Sequence, residues 1–323
     1  MPHVMRVNRT GSPDSLSWET ADIEEPGPGQ ARLRQFAIGV NYIDIYHRTG
    51  YYPQPLPFIP GLEGAGTVDA IGPEVTHVKP GDRVAYAGPI GGYSQVRLIA
   101  ADRLIGLPSS ISFDQAAAIM LQGMTAQVLV RQVYPVKAGD VVLVHAAGGG
   151  TGLLLCQWAA ALGATVIGTV STEAKAVLAR AHGCHHTIIY TKQDFVAETL
   201  RITNGAKLPV VYDSVGADTF LRSLDCLRPR GWMVTFGQSS GPIEPIAPVL
   251  LSQKGSLVLT RPFLFHFIET RRELEASANE LFDMVAAGKI KINVNQKFAL
   301  KDAAEAHRAL ESRSTSGSTI LTV

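Results

Sequence analysis

The residues whose types and spacing speak most directly of chemistry lie in one uninterrupted stretch. Val141-Val142-Leu143-Val144-His145 is a short apolar run of strand type, and it passes straight into Ala146-Ala147-Gly148-Gly149-Gly150-Thr151-Gly152. A helical pattern over 152–162 follows at once. Ala147, Gly149 and Gly152 keep the spacing of a relaxed dinucleotide fingerprint. The middle glycine lets backbone approach a pyrophosphate, and the last lets the helix pack against the strand. The N–H groups of the helix start, at Gly150, Thr151 and Gly152, then face the phosphates, with the helix dipole behind them. A purely structural glycine turn is the competing reading. The strand before, the helix after and a second strand about twenty residues on favour the nucleotide.

That second strand ends at Thr169-Val170-Ser171-Thr172. An NAD site places Asp or Glu here for the ribose 2′-hydroxyl. No carboxylate stands at the strand end: Glu173 comes late, and Lys175 follows closely, able to neutralise a 2′-phosphate. Ser171 and Tyr190, at the ends of this strand and the next, add hydroxyls. The pattern predicts NADPH rather than NADH. The alternative is that Glu173 serves the ribose while Lys175 is a solvated helix residue.

The elements that must position this turn alternate along the chain. Strands are expected at 141–145, 165–170, 187–190, 210–213 and 231–236, and helices at 152–162, 175–182, 194–203 and 219–227. Apolar strands alternating with helices indicate a parallel sheet covered on both faces, a doubly wound Rossmann architecture. The first third differs. Short strands at 33–40, 64–71, 82–85 and 93–99 are punctuated by Pro26-Gly27, Pro60-Gly61, Gly72-Pro73 and Pro80-Gly81, which suggests a curved, mostly antiparallel β domain. Residues 113–133, rich in alanine, read as one long helix. Residues 256–260 are a further strand, 268–287 a long helix, and 294–300, 302–312 and 318–323 a strand, a helix and a strand.

Composition sets the limits. The 323 residues are 46% hydrophobic with a formal net charge of +1, enough for sizeable cores and without the basic stripe that nucleic-acid binding needs. No apolar run reaches membrane-spanning length, and no basic opening segment leads into an apolar stretch as a secretory signal would. Cys156, Cys184 and Cys226 lie far apart with no Cys-x-x-Cys pair, which fits a reducing cytoplasm. His185-His186 beside Cys184 is a turn rather than a metal site, because neighbours on an extended chain point to opposite faces.

Several further stretches resemble the zeta-crystallin-like quinone oxidoreductases, a zinc-free branch of the medium-chain dehydrogenases/reductases. They are Gly39-Val40-Asn41-Tyr42-Ile43-Asp44 with Gly50-Tyr51-Tyr52-Pro53, Pro60-Gly61-Leu62-Glu63-Gly64-Ala65-Gly66, Pro80-Gly81-Asp82-Arg83-Val84, Gln122-Gly123-Met124-Thr125-Ala126, Val211-Tyr212-Asp213-Ser214-Val215-Gly216, Phe236-Gly237-Gln238-Ser239-Ser240-Gly241 and Leu259-Thr260-Arg261-Pro262. The resemblance covers nearly the whole chain in order. It implies a GroES-like catalytic domain formed by 1–122 and 263–323, a Rossmann domain over 123–262, NADPH in the cleft, and a homodimer joined through the Rossmann domains, for which the 256–260 strand is the candidate pairing edge. Residues 39–44 are expected to form a cofactor-facing loop.

The resemblance also assigns roles. Asn41 and Thr125 would hold the nicotinamide end, and Tyr46 and Tyr52 would line the cleft and stack on or hydrogen-bond a planar substrate. Arg261 would contact the carboxamide or diphosphate. Ser214, Phe236, Gly237 and Ser239 would follow the fourth and fifth strands, where ligands sit in such sheets. Asp44 would brace its loop, while His47 and Arg48 read as surface residues. Zinc is not expected: the Gly-His-Glu element of zinc alcohol dehydrogenases reads Gly61-Leu62-Glu63 here, their cysteine ligand reads Asn41, and their cysteine lobe is missing. Without a Lewis acid, reduction of an electron-poor acceptor is easier to support than oxidation of an alcohol. The implied activity is reduction of quinones by NADPH. Reduction of an alkenal or enone double bond is the alternative, and a non-catalytic NADPH-binding protein is the reading from another class.

Overall fold

The computed structural model describes residues 1–323. The chain divides into two compact units, one of Met1–Met124, Ile268–Ala286 and Ile292–Val323, the other of Thr125–Phe267 and Ala287–Lys291.

The first unit is built on a seven-stranded sheet. Its spine is the strand Gln30–Val40, whose side chains alternate between core and surface until Ala37, after which every position is buried. This strand pairs antiparallel with Glu63–Ile71 along its length, with Val96–Ala100 at its start and with Ser318–Thr322 at its end. The carboxyl-terminal strand thus belongs to the sheet begun by the amino-terminal third. Arg83–Ala87, Ile105–Gly106 and Val294–Ala299 complete the sheet. A separate pair, His3–Val7 with Leu16–Thr20, escaped the sequence reading.

Two expectations in this unit need correction. Residues 39–44 are not a loop: they end one strand and begin the helix Tyr42–Thr49, which Asn41 precedes as N-cap. The helix expected over 113–133 is three segments, Phe113–Ala117, Met120–Val128 and a wider-wound turn at Leu129–Val133. The first break has a local cause. The N–H groups of Ala118 and Ile119 turn back to Gln115 and Ala116, closing the first helix, and Leu121 N–H, in the first turn of the next, donates to the Glu63 carboxyl at 2.7 Å. A helix start needs such an acceptor.

The second unit holds a six-stranded, wholly parallel sheet in the order His186–Ile189, Thr165–Val170, Val141–Val144, Leu208–Asp213, Leu227–Thr235, Val258–Thr260. The central strands are buried on both faces, as their unbroken apolar sequences require. Helix Gly150–Ala161 is apolar all round, and Gly152 through Ala159 are buried. On the other side Leu143, Val211, Phe220, Leu224 and Met233 form one cluster. The second unit is of Rossmann type, as the alternation of apolar strands and helices indicated, and the first is mostly antiparallel β, as its short, turn-punctuated strands indicated.

Candidate active site

In the parallel-sheet unit the glycine turn lies between the strand Val141–Val144 and the helix Gly150–Ala161. Ala146 takes a left-handed conformation at φ +53°, and its carbonyl accepts Gly149 N–H at 3.0 Å. A Cβ on Gly152 would strike that same carbonyl and come within 2.9 Å of Ala147 Cα. Gly152 is therefore required by close packing of helix on strand. Gly149 caps the helix without any side-chain acceptor, and no acidic residue occupies the first turn. The N–H groups of Gly150, Thr151 and Gly152 form an uncapped, positively polarised end suited to an anion.

The second strand ends at Val170, with Ser171 half-buried after it and Thr172 capping the helix Glu173–Arg180. Lys175 lies against the glycine turn: a Cβ added to Gly148 would be 3.0 Å from Lys175 Cβ. Glu173 is turned elsewhere, bound to Arg180 at 2.9 Å, which also donates to Thr187. The lysine, not the glutamate, is brought to the turn. Tyr190 is exposed just past Ile189, and its neighbour Thr191 donates to the Ser171 carbonyl at 3.1 Å.

At the ends of the fourth and fifth strands, Ser214 and Gly237 are in tight contact, since a Cβ on Gly237 would meet the Ser214 carbonyl at 2.9 Å. Ser239 N–H donates to that carbonyl at 3.1 Å, and Phe236 N–H donates to the Asp213 carbonyl at 2.8 Å. Arg261 reaches Thr235 at 3.2 Å and Gln238 at 3.0 Å. Ser214, Phe236, Gly237, Ser239 and Arg261 thus gather at the carboxyl ends of the parallel strands.

Beneath them is a polar floor that sequence reasoning missed. His145, fully buried, is bonded through Nδ1 to Thr169 at 2.9 Å and through Nε2 to Ser223 at 2.9 Å. The Ser223 hydroxyl donates to the Thr219 carbonyl, so it accepts from His145 Nε2–H. Burial lowers the pKa of this imidazole, and the nearby Asp213 charge opposes the shift only in part. Asp213 accepts the N–H groups of Val215 and Gly216 and the Thr219 hydroxyl, shaping the loop that carries Ser214. The one available signal was a histidine ending a buried strand immediately before the glycine turn.

In the β unit, Asn41 is the N-cap of the helix Tyr42–Thr49, Tyr46 lies within that helix and Tyr52 just past it. Tyr46 and Tyr52 meet edge to face with centroids 5.2 Å apart, and Tyr42 and Tyr51 flank Tyr46 at 5.5 and 5.8 Å. Tyr46 and Tyr52 are half-buried, offering both ring surface and hydroxyl. Asn41 is buried, and its amide lies between Glu63 and Gln122: Nδ2 donates to Glu63 at 2.6 Å and Oδ1 accepts from Gln122 at 2.9 Å. Thr125, half-buried, occupies the same helix as Gln122.

Asp44 does brace this segment, accepting Asn41 N–H at 2.9 Å and the Tyr93 hydroxyl at 3.1 Å. His47 and Arg48 are not surface residues; both are buried. Arg48 reaches Glu311 at 2.5 Å, an ion pair that anchors this helix to the helix Ala303–Glu311. His47 is pushed down to about 4 by burial alone. His307, facing the Tyr93 hydroxyl at 2.9 Å, is pushed down to about 3 by burial and then by the Arg48 charge.

Residues 182–321 match the family described as zinc-binding dehydrogenase, and residues 27–109 match the alcohol dehydrogenase GroES-like domain. The quinone oxidoreductase of Pseudomonas aeruginosa is 51% identical over 313 residues, covering 96% of each chain. The chain belongs to the quinone oxidoreductase family. Another relative, the 2-haloacrylate reductase of a Burkholderia species, is 48% identical over 98% of this chain and 97% of its own. The crystal structure of Escherichia coli quinone oxidoreductase complexed with NADPH superposes with a TM-score of 0.98, at 47% identity over 99% of this chain and all of that one. The zinc in the first family's description finds no ligand set in this member. Asn41 is committed to an amide network, Leu62 is a buried apolar side chain, and no group of three or more His, Cys, Asp or Glu residues stands together to hold a metal ion.

Proposed function

We propose that this chain is an NADPH:quinone oxidoreductase. The observation that carries the reading is the pairing of an uncapped helix start at Gly149–Gly152 with Lys175 packed on Gly148, while Glu173 is held by Arg180. That combination suits a dinucleotide with a 2′-phosphate: backbone N–H groups for the pyrophosphate, an ammonium with Ser171 and Tyr190 beside it for the extra phosphate. When bound, the reduced nicotinamide supplies the hydride. The residues do the rest. Ser214, Phe236, Gly237, Ser239 and Arg261 contact the cofactor from the strand ends, and Asn41 and Thr125 hold its nicotinamide end. Tyr46 and Tyr52 stack on a flat, electron-poor acceptor and offer hydroxyls to its carbonyl oxygens. Solvent supplies the protons for a quinone.

A second reading is favoured by the 2-haloacrylate reductase relative: an activated alkene takes the hydride, and a tyrosine hydroxyl or water protonates the neighbouring carbon. We further propose a homodimer in which the edge strand Val258–Thr260, with Val258 and Leu259 both exposed, pairs with its copy. No helix is long and apolar enough to cross a membrane, and the three buried free cysteines fit a cytoplasmic setting. Steady-state oxidation of NADPH and of NADH with 1,4-benzoquinone, 9,10-phenanthrenequinone and 2-cyclohexenone tests the function. Turnover is expected with the quinones, with kcat/KM at least about tenfold higher for NADPH. Binding of NADPH without oxidation by any of the three acceptors would overturn the enzymatic reading.

A further inference from the structure

Glu63 is a fully buried carboxyl group for which the sequence reading offered no role. It begins the strand Glu63–Ile71, and the chain makes room for it: a Cβ on Gly39 of the neighbouring strand would collide with Glu63 Oε1 and the Ala117 carbonyl. Its two oxygens accept from Asn41 Nδ2 at 2.6 Å and from Leu121 N–H at 2.7 Å. The chain of bonds continues from Asn41 Oδ1 to Gln122 Nε2 at 2.9 Å, and from Gln122 Oε1 to the Ser318 hydroxyl at 2.9 Å, which also lies 3.1 Å from the Ala118 carbonyl.

We propose that Glu63 is a positioning residue that decides, through Asn41, Gln122 and Ser318, which edge of the Asn41 amide faces the ligand. This rests on the reading that Asn41 meets the nicotinamide end of the cofactor. The ends of the chain are fixed, because Leu121 N–H can only donate and the Ala118 carbonyl can only accept. Between them two arrangements satisfy every group. With Glu63 ionised, Asn41 gives Nδ2 to Glu63 and Oδ1 to Gln122, and the Ser318 hydroxyl donates to Gln122. With a proton on the Glu63 oxygen facing Asn41, each link reverses: Glu63 donates to Asn41 Oδ1, Asn41 Nδ2 to Gln122 Oε1, Gln122 Nε2 to Ser318, and Ser318 to Ala118. The edge of the Asn41 amide turned to a carboxamide therefore differs between the two states. Burial pushes the Glu63 carboxyl up to about 8, the Asn41 and Leu121 bonds hold it down, and Asp44 raises it further. The titratable groups facing it are Asp44 from the adjoining helix, Tyr86 from the strand Arg83–Ala87, with Arg97 over its ring, and Tyr93.

Glu63→Gln has the shape of the protonated acid and, like it, presents an acceptor to Leu121 and a donor to Asn41, with one further amide N–H, so the variant is held in the reversed arrangement at every pH. The experiment compares wild type and E63Q from pH 6 to pH 9, reading the NADPH dissociation constant by nicotinamide fluorescence and kcat/KM with 1,4-benzoquinone. The ratio of the two proteins is expected to lie within about twofold at pH 6 and to depart by about tenfold at pH 9, the worth of one hydrogen bond of wrong polarity, with its midpoint near the carboxyl's value of about 8. Tyr86 and Tyr93, both raised by burial, keep their protons across this range in either protein, and repeating the comparison in an Asp44→Asn background removes the one titration coupled to Glu63. A ratio that is flat with pH overturns the proposal, because a merely structural glutamate gives a constant factor. Should E63Q fail to fold, Asn41→Ala supplies the second arm: its NADPH affinity must lack the step near pH 8, and persistence of that step refutes transmission through Asn41. Wild type that binds NADPH but oxidises it with no acceptor counts against the proposed activity, while the binding ratio still decides the role of Glu63.

Discussion

At the scale of single residues, the proposed preference for NADPH rests on two neighbours with opposite charge. Glu173 is tied to Arg180 and Lys175 lies on the glycine turn. The exposed ion pair adds little stability, but it removes the one carboxylate that would otherwise repel a 2′-phosphate. Lys175→Ala is expected to raise KM for NADPH at least about tenfold while leaving KM for NADH within about twofold, since one charge-assisted contact is lost and only NADPH makes it. Equal changes for both coenzymes in steady-state assays would remove Lys175 from the phosphate site. The placement of Lys175 was legible in the sequence, because the residue follows a strand end closely. His47 and Arg48 were not: two polar residues in a helix look solvated until Glu311, which reaches Arg48 from 263 positions away, is in place. His145 and Asp213 were illegible for the same reason, their partners Thr169, Ser223 and Thr219 lying on other elements.

At the scale of elements, the hydrophobic pattern carried nearly everything within a parallel α/β unit, because buried strands and the helices covering them each write their own period. The pattern failed at 113–133. An alanine-rich run contains no sign that Leu121 N–H will be claimed by Glu63 from another strand. The junction of strand and nucleotide helix is the element whose packing matters most. In Gly152→Ala the added Cβ meets the Ala146 carbonyl and Ala147 Cα, both backbone, so the helix must shift along the strand. Such overpacking costs about 1–3 kcal/mol, and it tilts the N–H groups off the phosphates. Calorimetry and NADPH titration are expected to show a lower Tm and at least about tenfold weaker binding for G152A. Gly106→Ala, where a Cβ finds open space, serves as the control and should match wild type in binding. G152A binding NADPH as wild type does would mean the turn does not grip the dinucleotide.

At the scale of the whole molecule, five buried titratable groups, Asp44, His47, Glu63, His145 and His307, set how stability depends on pH. Asp44 is pushed up to about 7 and Glu63 to about 8, chiefly by burial. An acid that holds its proton more tightly when folded contributes stability below its unfolded value, about 4, and loses that contribution as pH rises through the folded value. His47, at about 4, and His307, at about 3, are displaced the other way, as is His145, which burial also lowers. They contribute stability above the unfolded imidazole value of about 6.5 and lose it as pH falls. Between about pH 4.5 and 6.5 the two sets oppose, since the folded chain keeps protons on two carboxyls and refuses them on the buried imidazoles, and net proton exchange on unfolding is small. Above about 6.5 only the carboxyls still exchange, and ionising them inside the β unit costs stability. Tm is therefore expected to be level from about pH 5 to 6.5 and to decline toward pH 8.5, with a shallower decline in Glu63→Gln, whose amide cannot ionise. Scanning calorimetry across this range decides the matter: a Tm that climbs from pH 6.5 to 8.5, or an alkaline slope that the substitution leaves untouched, would mean that the Glu63 carboxyl is already ionised at neutral pH, its charge carried by the Asn41 and Leu121 donors.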